Sequence, residues 1–199
     1  MDIEGKYIII RHSTRDSIRN VADSNNMPLT AEGIELAKHL GQNLSKYSDK
    51  FTFFHSKIRR CEETAIYMRE GIQSNMKEVI EIKPFKPLGG FFNVNRDACR
   101  EIRNKNKHEF TRNWFENKIP SDIIMPIKDA ANFMLTEILK QNDDSVTKVF
   151  VTHDWNLFCL KSLFIEPYEE ISIPKFLEGI VVSKDKKIFW TFEQKHFLN

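Results

Sequence analysis

KYIIIRHSTR, residues 6–15, is the stretch on which the fold turns. Ile8, Ile9 and Ile10 form an uninterrupted β-branched run, the pattern of a strand covered on both faces inside an α/β sheet. Polar residues follow at once, so His12 falls at the carboxyl end of that strand. In open α/β sheets, ligands bind along this edge. A His between Arg11 and Arg15 suits a nucleophile in an anion pocket; the same residues would equally make a strand running into a basic loop.

Two further segments decide between these readings. FTFFHSKIRRCEETA (51–65) and VTKVFVTHDWNLFCL (146–160) repeat the arrangement: short apolar runs at 51–54 and 149–151, then polar residues, then helical periodicity. The polar residues are Ser56 with Arg60 four positions on, and His153 followed by Asp154. Three strand-to-helix junctions carrying Arg, His, Ser and Asp describe a phosphate site built from complementary charge.

These residues resemble the histidine phosphatase superfamily, the phosphoglycerate mutase-like proteins. Its hallmarks are an Arg-His-Gly motif after the first strand, a second Arg within S-x-x-x-R-x-x-x-T-A, and a late strand ending in His. Arg11 and His12, then Ser56, Arg60, Thr64 and Ala65, then His153 match them in order, and PLTAEGIELAKHLG (28–41) is similar to the family's first helix. The resemblance covers residues 6–160 but finds nothing specific over 84–145. It implies a three-layer α/β/α sandwich with a mostly parallel sheet.

Two departures matter. Ser13 stands where the family usually has Gly, which restricts the loop backbone and adds a hydroxyl near the phosphate. Arg15 and the His153-Asp154 pair match the acid phosphatase branch, although Ser17 occupies that branch's Pro position. The mutase branch takes its proton donor from a Glu after the third strand, and KPFKPLGGFFNVN (83–95) contains no acidic residue. Asp154 is therefore the candidate donor.

Breaking a phosphomonoester needs an in-line nucleophile, charge stabilisation for three equatorial oxygens, and a proton for the departing alkoxide. Chemistry and resemblance together assign these to His12 as the nucleophile that forms a phosphohistidine, to Arg11, Arg15 and Arg60 as planar forks with His153 as a fourth donor, and to Asp154. Neither metal nor cofactor is required for this. Ser13 and Ser56 are candidate substrate contacts, Ser56 reading first as a helix N-cap. Asp154 would alternatively cap the helix starting near Trp155. Arg59 reads as solvated, His55 as packed, and His39, His108 and His196 as surface residues.

A chain of 199 residues, 41% hydrophobic, suits one domain over 1–199. Within it, residues 84–122 form an insertion, a lid or specificity element. Its 96–118 stretch mixes Arg96, Arg100, Arg103, Lys105, Lys107 and Arg112 with Ile102, Phe110, Trp114 and Phe115, a basic amphipathic helix or pair of helices. An apolar face packed on the body is the ordinary explanation. The sharper one has Arg100 and Arg103 meeting a second anionic group on the substrate.

The net charge of +2 gives no general case for nucleic-acid binding, and no apolar run approaches the length needed to cross a bilayer. Three scattered cysteines argue against a disulfide framework, and residues 1–10 lack a signal-peptide pattern, so a cytoplasmic setting is expected. The partner is a small-molecule phosphomonoester; oligomeric state is not legible. The rival functions are a mutase of the same superfamily and a non-catalytic phosphate-binding module.

Helical spacing places a helix after Thr30, its expected N-cap, with Ile34, Ala37, Leu40 and Leu44 inward. Another passes through Ala65 to about Ile72, a third strand covers 79–82, and a helix covers 127–139. The tail, 179–192, reads as two strands joined by a charged turn at an antiparallel edge.

Overall fold

The computed structural model describes residues 6–17, 24–164, 172–182 and 188–192. Within them the chain alternates strand and helix: β1 (Tyr7–Arg11), α1 (Ala31–Leu44), β2 (Lys50–His55), α2 (Arg59–Ser74), β3 (Glu78–Pro84), α3 (Arg96–Lys105), α4 (Lys107–Phe115), α5 (Ile127–Leu139), β4 (Thr147–Thr152), α6 (Asp154–Lys161), β5 (Gly179–Val182) and β6 (Ile188–Phe192). The six strands form one sheet in the order β3-β2-β4-β1-β5-β6. The first four are parallel, while β5 and β6 extend the sheet antiparallel on one side, with β6 at the edge. The mostly parallel sheet and its antiparallel tail are as expected, and the charged turn joining the tail strands lies outside the described residues, as does His196.

Alternation along each strand builds two cores. Ile8, Ile10, Phe51, Phe53, Val149 and Val151 turn to one face and meet Ala37, Leu40, Met68 and Ile72 of α1 and α2. Tyr7, Ile9, Phe54 and Phe150 turn to the other and meet Met134, Leu135, Ile138, Leu157 and Leu160 of α5 and α6. Both sheet faces are therefore covered, which is why β1 and β4 read as continuous apolar runs. Helices α1 and α2 touch backbone to backbone: a Cβ on Gly41 would stand 2.1 Å from the Met68 carbonyl oxygen.

Thr30 caps α1 as expected, its hydroxyl accepting from Gly33 N–H. Several elements are longer than the sequence indicates, β3 among them, which runs Glu78–Pro84 against the expected 79–82. Helix α2 starts at Arg59, in keeping with Arg59 and Arg60 at a helix start, and runs to Ser74, slightly past Ile72; its N-cap, Ile58, makes no side-chain bond. Strand β4 starts at Thr147 and buries Lys148, whose ammonium donates to the Asp143 carbonyl and lies over the Tyr7 ring. The insertion holds two helices, and its Cys99, Phe110 and Trp114 pack with Ile127, Phe158 and Cys159, so the ordinary explanation of its apolar face holds.

Register fixes the site. Arg11 lies beside Thr152, and His55 beside Val151, so β1, β2 and β4 end together at one edge of the sheet. The next residues out are His12, Ser56 and His153.

Candidate active site

One guanidinium ties the strand ends together. Arg60, in the first turn of α2, donates from Nε to His12 Nε2 at 2.9 Å and from one terminal nitrogen to the Ser24 carbonyl at 2.7 Å; its other terminal nitrogen stands 3.2 Å from His153 Nδ1. A guanidinium can only donate, so each imidazole must present it a lone pair. His12 keeps its proton on Nδ1, which donates to the Ser13 carbonyl at 2.8 Å. His153 keeps its proton on Nε2, 3.0 Å from Ser56 Oγ. The shared donor thus sets opposite tautomers in the two rings, whose centroids lie 5.6 Å apart.

Both rings are held neutral. Burial, followed by the nearby His153 ring, beside which a second imidazolium would be repelled, and by the charge of Arg60, holds His12 well below the ordinary histidine value. Burial, with Arg60 next, pushes His153 down to about 3 against the opposing pull of Asp154. The Cys61 thiol lies 3.7 to 3.8 Å from the His153 ring nitrogens, and burial pushes its pKa up, which keeps it an uncharged packing partner.

Arg11 projects from the end of β1. One terminal nitrogen donates to the Pro174 carbonyl at 2.6 Å, the other stands 3.3 Å from Asp154 Oδ2, and the Phe176 ring lies 4.1 Å from its central carbon. The second Asp154 oxygen accepts from the Trp155 N–H at 2.9 Å, so this carboxylate serves the helix start and the arginine together. Arg15 donates to the Asp16 carbonyl, and its charge acts on Arg11, Arg60 and His153. The buried Nε–H groups of Arg11 and Arg15 find no partner among the described residues.

The loop bearing His12 is clamped from beneath. Ser13 N–H donates to Thr64 Oγ1 at 3.0 Å, and Thr64 donates to the Arg60 carbonyl at 2.7 Å. The Ser13 hydroxyl donates to the Gly33 carbonyl at 2.7 Å, so it is spent on α1 and differs from the expected group near the phosphate. A Cβ on Gly33 would stand 2.2 Å from the Thr14 carbonyl oxygen, so only glycine allows α1 this close. Ser56 is not the N-cap of α2; it stands against His153 instead. Arg59 turns outward as expected, pairing with Glu63 at 2.6 Å.

A cleft of about 150 Å³ opens from Arg60, His153 and Asp154 toward Phe92, Phe110, Trp155 and Arg103. Arg103 thus reaches the site. Arg100 does not line this cleft; it pairs with Asp97 at 3.4 Å on the outer face of α3.

The family model of the histidine phosphatase superfamily (branch 1) matches residues 7–154. The chain belongs to this superfamily. It is accordingly a phosphatase working through a histidine, and the branch 1 match gives the finer likeness to acid phosphatases no support. No curated protein sequence matches it. Among solved structures it is similar to Entamoeba histolytica phosphoserine phosphatase in complex with 3-phosphoglyceric acid, 17% identical over 97% of this chain and 99% of that one, TM-score 0.61. Mycobacterial glucosyl-3-phosphoglycerate phosphatase with inorganic phosphate is 14% identical over 96% and 98%, TM-score 0.62. Bacillus stearothermophilus YhfR is 19% identical over 89% and 90%, TM-score 0.57. At such identities the likeness shows the fold. Among the described residues no helix is long and apolar enough to cross a membrane.

Reading the superfamily's motifs alone misses the segment 174–178, which supplies a carbonyl and a ring to Arg11. A carbonyl has no signature in sequence. The available signal was Glu178, an acidic residue placed directly before the apolar strand GIVV.

Proposed function

We propose that this histidine phosphatase hydrolyses small phosphomonoesters through a phosphoenzyme on His12 Nε2. The observation that carries the reading is the Nε2 lone pair, held toward the Arg60 Nε–H at 2.9 Å with the ring proton secured on the far side. An arriving phosphate dianion is a stronger acceptor than an imidazole and draws the Arg60 fork onto its oxygens. The lone pair is then free to attack phosphorus. Arg11 and Arg15 add their Nε–H donors, which have no acceptor among the described residues, to the equatorial oxygens. His153, expected as a fourth donor to the phosphate, has its Nε2–H on Ser56 and its lone pair toward Arg60, so it stays neutral and orients Arg60 instead.

As the P–N bond forms, the bond from phosphorus to the ester oxygen breaks, and that oxygen takes a proton from Asp154. Water then attacks the phosphohistidine, gives its proton to Asp154, and the P–N bond breaks. The leaving group occupies the cleft beside Phe110 and Trp155, where Arg103 of the 84–122 lid meets a second anionic group. Two of the structural relatives act, by their names, on phosphoserine and glucosyl-3-phosphoglycerate, and the same class of small phosphoester is proposed here.

Turnover of p-nitrophenyl phosphate tests the reading. It should disappear in His12→Ala, be inhibited by vanadate and survive EDTA. Asp154→Asn should slow alkyl phosphates far more than p-nitrophenyl phosphate, whose leaving group needs little protonation. Phosphate binding without metal-independent turnover would favour a binding module instead.

A further inference from the structure

Arg11 is held from four directions, and three of them come from the strap of residues 174–178. Its NH1 group meets the Pro174 carbonyl, its face meets the Phe176 ring, and its backbone N–H donates to the Glu178 carbonyl at 2.9 Å. The fourth contact is Asp154, the first residue of α6. Glu178 ties the strap down. One of its carboxylate oxygens accepts from the Lys175 N–H at 2.8 Å, and the other meets Lys161 Nζ at 2.7 Å. Lys161 is the last residue of α6, so one end of that helix meets the Arg11 guanidinium through Asp154 and the other holds the strap through Glu178.

The Lys161–Glu178 pair is enclosed, with side-chain exposures of 7% and 9%. Replacing such a pair by well-packed apolar residues is often neutral or stabilising, so stability alone gives little reason for it. A carboxylate that accepts in two directions does give one, because it fixes the strap's turn. That turn is strained: Leu177 has φ of 56° and is buried in the core under α1 and α2. Left-handed backbone at a branched residue persists where surrounding contacts hold it, and it recurs at functional sites.

We propose that Glu178, paired with Lys161, is a positioning residue that sets the strap so that the Pro174 carbonyl and the Phe176 ring orient Arg11 for the phosphate. The proposal rests on Arg11 being a phosphate ligand, and an Arg11→Lys reference variant measures that separately. The experiment compares Lys161→Met/Glu178→Gln, Phe176→Leu and Arg11→Lys for vanadate inhibition, for kcat and KM with p-nitrophenyl phosphate, and for the unfolding midpoint.

The double variant is expected to stay folded and to lose about 10- to 100-fold in vanadate affinity and kcat/KM, the equivalent of one charge-assisted hydrogen bond. Phe176→Leu should lose about 3- to 30-fold, the range of a desolvated cation–π contact. In an Arg11→Lys background the Lys161/Glu178 changes should add less than about threefold, since both act through one guanidinium. A purely structural role would move the midpoint and leave affinity per folded molecule unchanged. That result, or losses that multiply in the Arg11→Lys background, overturns the proposal. Should the double variant not fold, wild-type vanadate affinity in Phe176→Leu overturns it. Unimpaired binding in Arg11→Lys would sink the reading of Arg11 itself.

Discussion

Replacing Arg60 by Lys keeps the charge and removes the fork. The native side chain engages His12 at 2.9 Å, the Ser24 carbonyl at 2.7 Å and His153 at 3.2 Å from three different nitrogens. In the proposed reaction the phosphate takes over this fork, and an ammonium, which offers its donors from one point, forfeits about two of the fork's charged hydrogen bonds to the oxygens at roughly 1.5–3 kcal/mol each. The sum, about 3–6 kcal/mol, corresponds to about 10²- to 10⁴-fold in kcat/KM. The assay is kcat/KM with p-nitrophenyl phosphate, accompanied by nitrogen NMR of the His12 ring. Arg60→Lys should slow the reaction without moving the His12 titration much, because the charge remains. Arg60→Met should slow it and also let His12 titrate at higher pH, since one of the charges holding its pKa down is gone. An Arg60→Lys enzyme within about threefold of wild type would refute the assignment of rate to fork geometry.

Two further outcomes follow from the same contacts. His153 has a folded pKa of about 3 against an ordinary 6.5, so below pH 6.5 the unfolded chain binds the extra proton; stability should fall by up to about 1.4 kcal/mol per pH unit from pH 6.5 down toward 3, and urea midpoints should show a shallower loss in His153→Asn. Gly33→Ala should cost about 1–3 kcal/mol and also damage activity, because the new methyl collides with the Thr14 carbonyl of the His12 loop, whereas Gly41→Ala, which collides with Met68, should lower the denaturation midpoint while leaving kcat per folded molecule close to wild type.

The part of this molecule legible in sequence is the part that covalent neighbourhood controls. Ile8 to Ile10 announce a covered strand, and the residues directly after each strand end arrive at the site because parallel neighbours in register must finish together. Arg60 could be separated from Arg59 since adjacent helix positions face about 100° apart. Illegible were contacts decided by packing across the fold. Ser56 reads as a cap from its local context, yet α2 begins three residues later and leaves Ser56 to His153. The Ser13 hydroxyl reads as a phosphate contact until α1 brings the Gly33 carbonyl within 2.7 Å. Arg100 and Arg103 are equivalent in composition, and only the docking of α3 through Cys99 and its neighbours decides that Arg103 reaches the cleft.

The placement of protons gives the site its order of events. Because Arg60 cannot accept, His12 and His153 must both turn lone pairs toward it, and neither ring can protonate without breaking a charged hydrogen bond. The nucleophilic nitrogen is thus poised and occupied at once: nothing but a better acceptor releases it, and a phosphate dianion is such an acceptor. The Nε–H groups of Arg11 and Arg15, which find no acceptor among the described residues, point the same way, since each can donate to an anion bound between them. Phosphate binding thus couples release of the His12 lone pair to the arrival of the group it attacks.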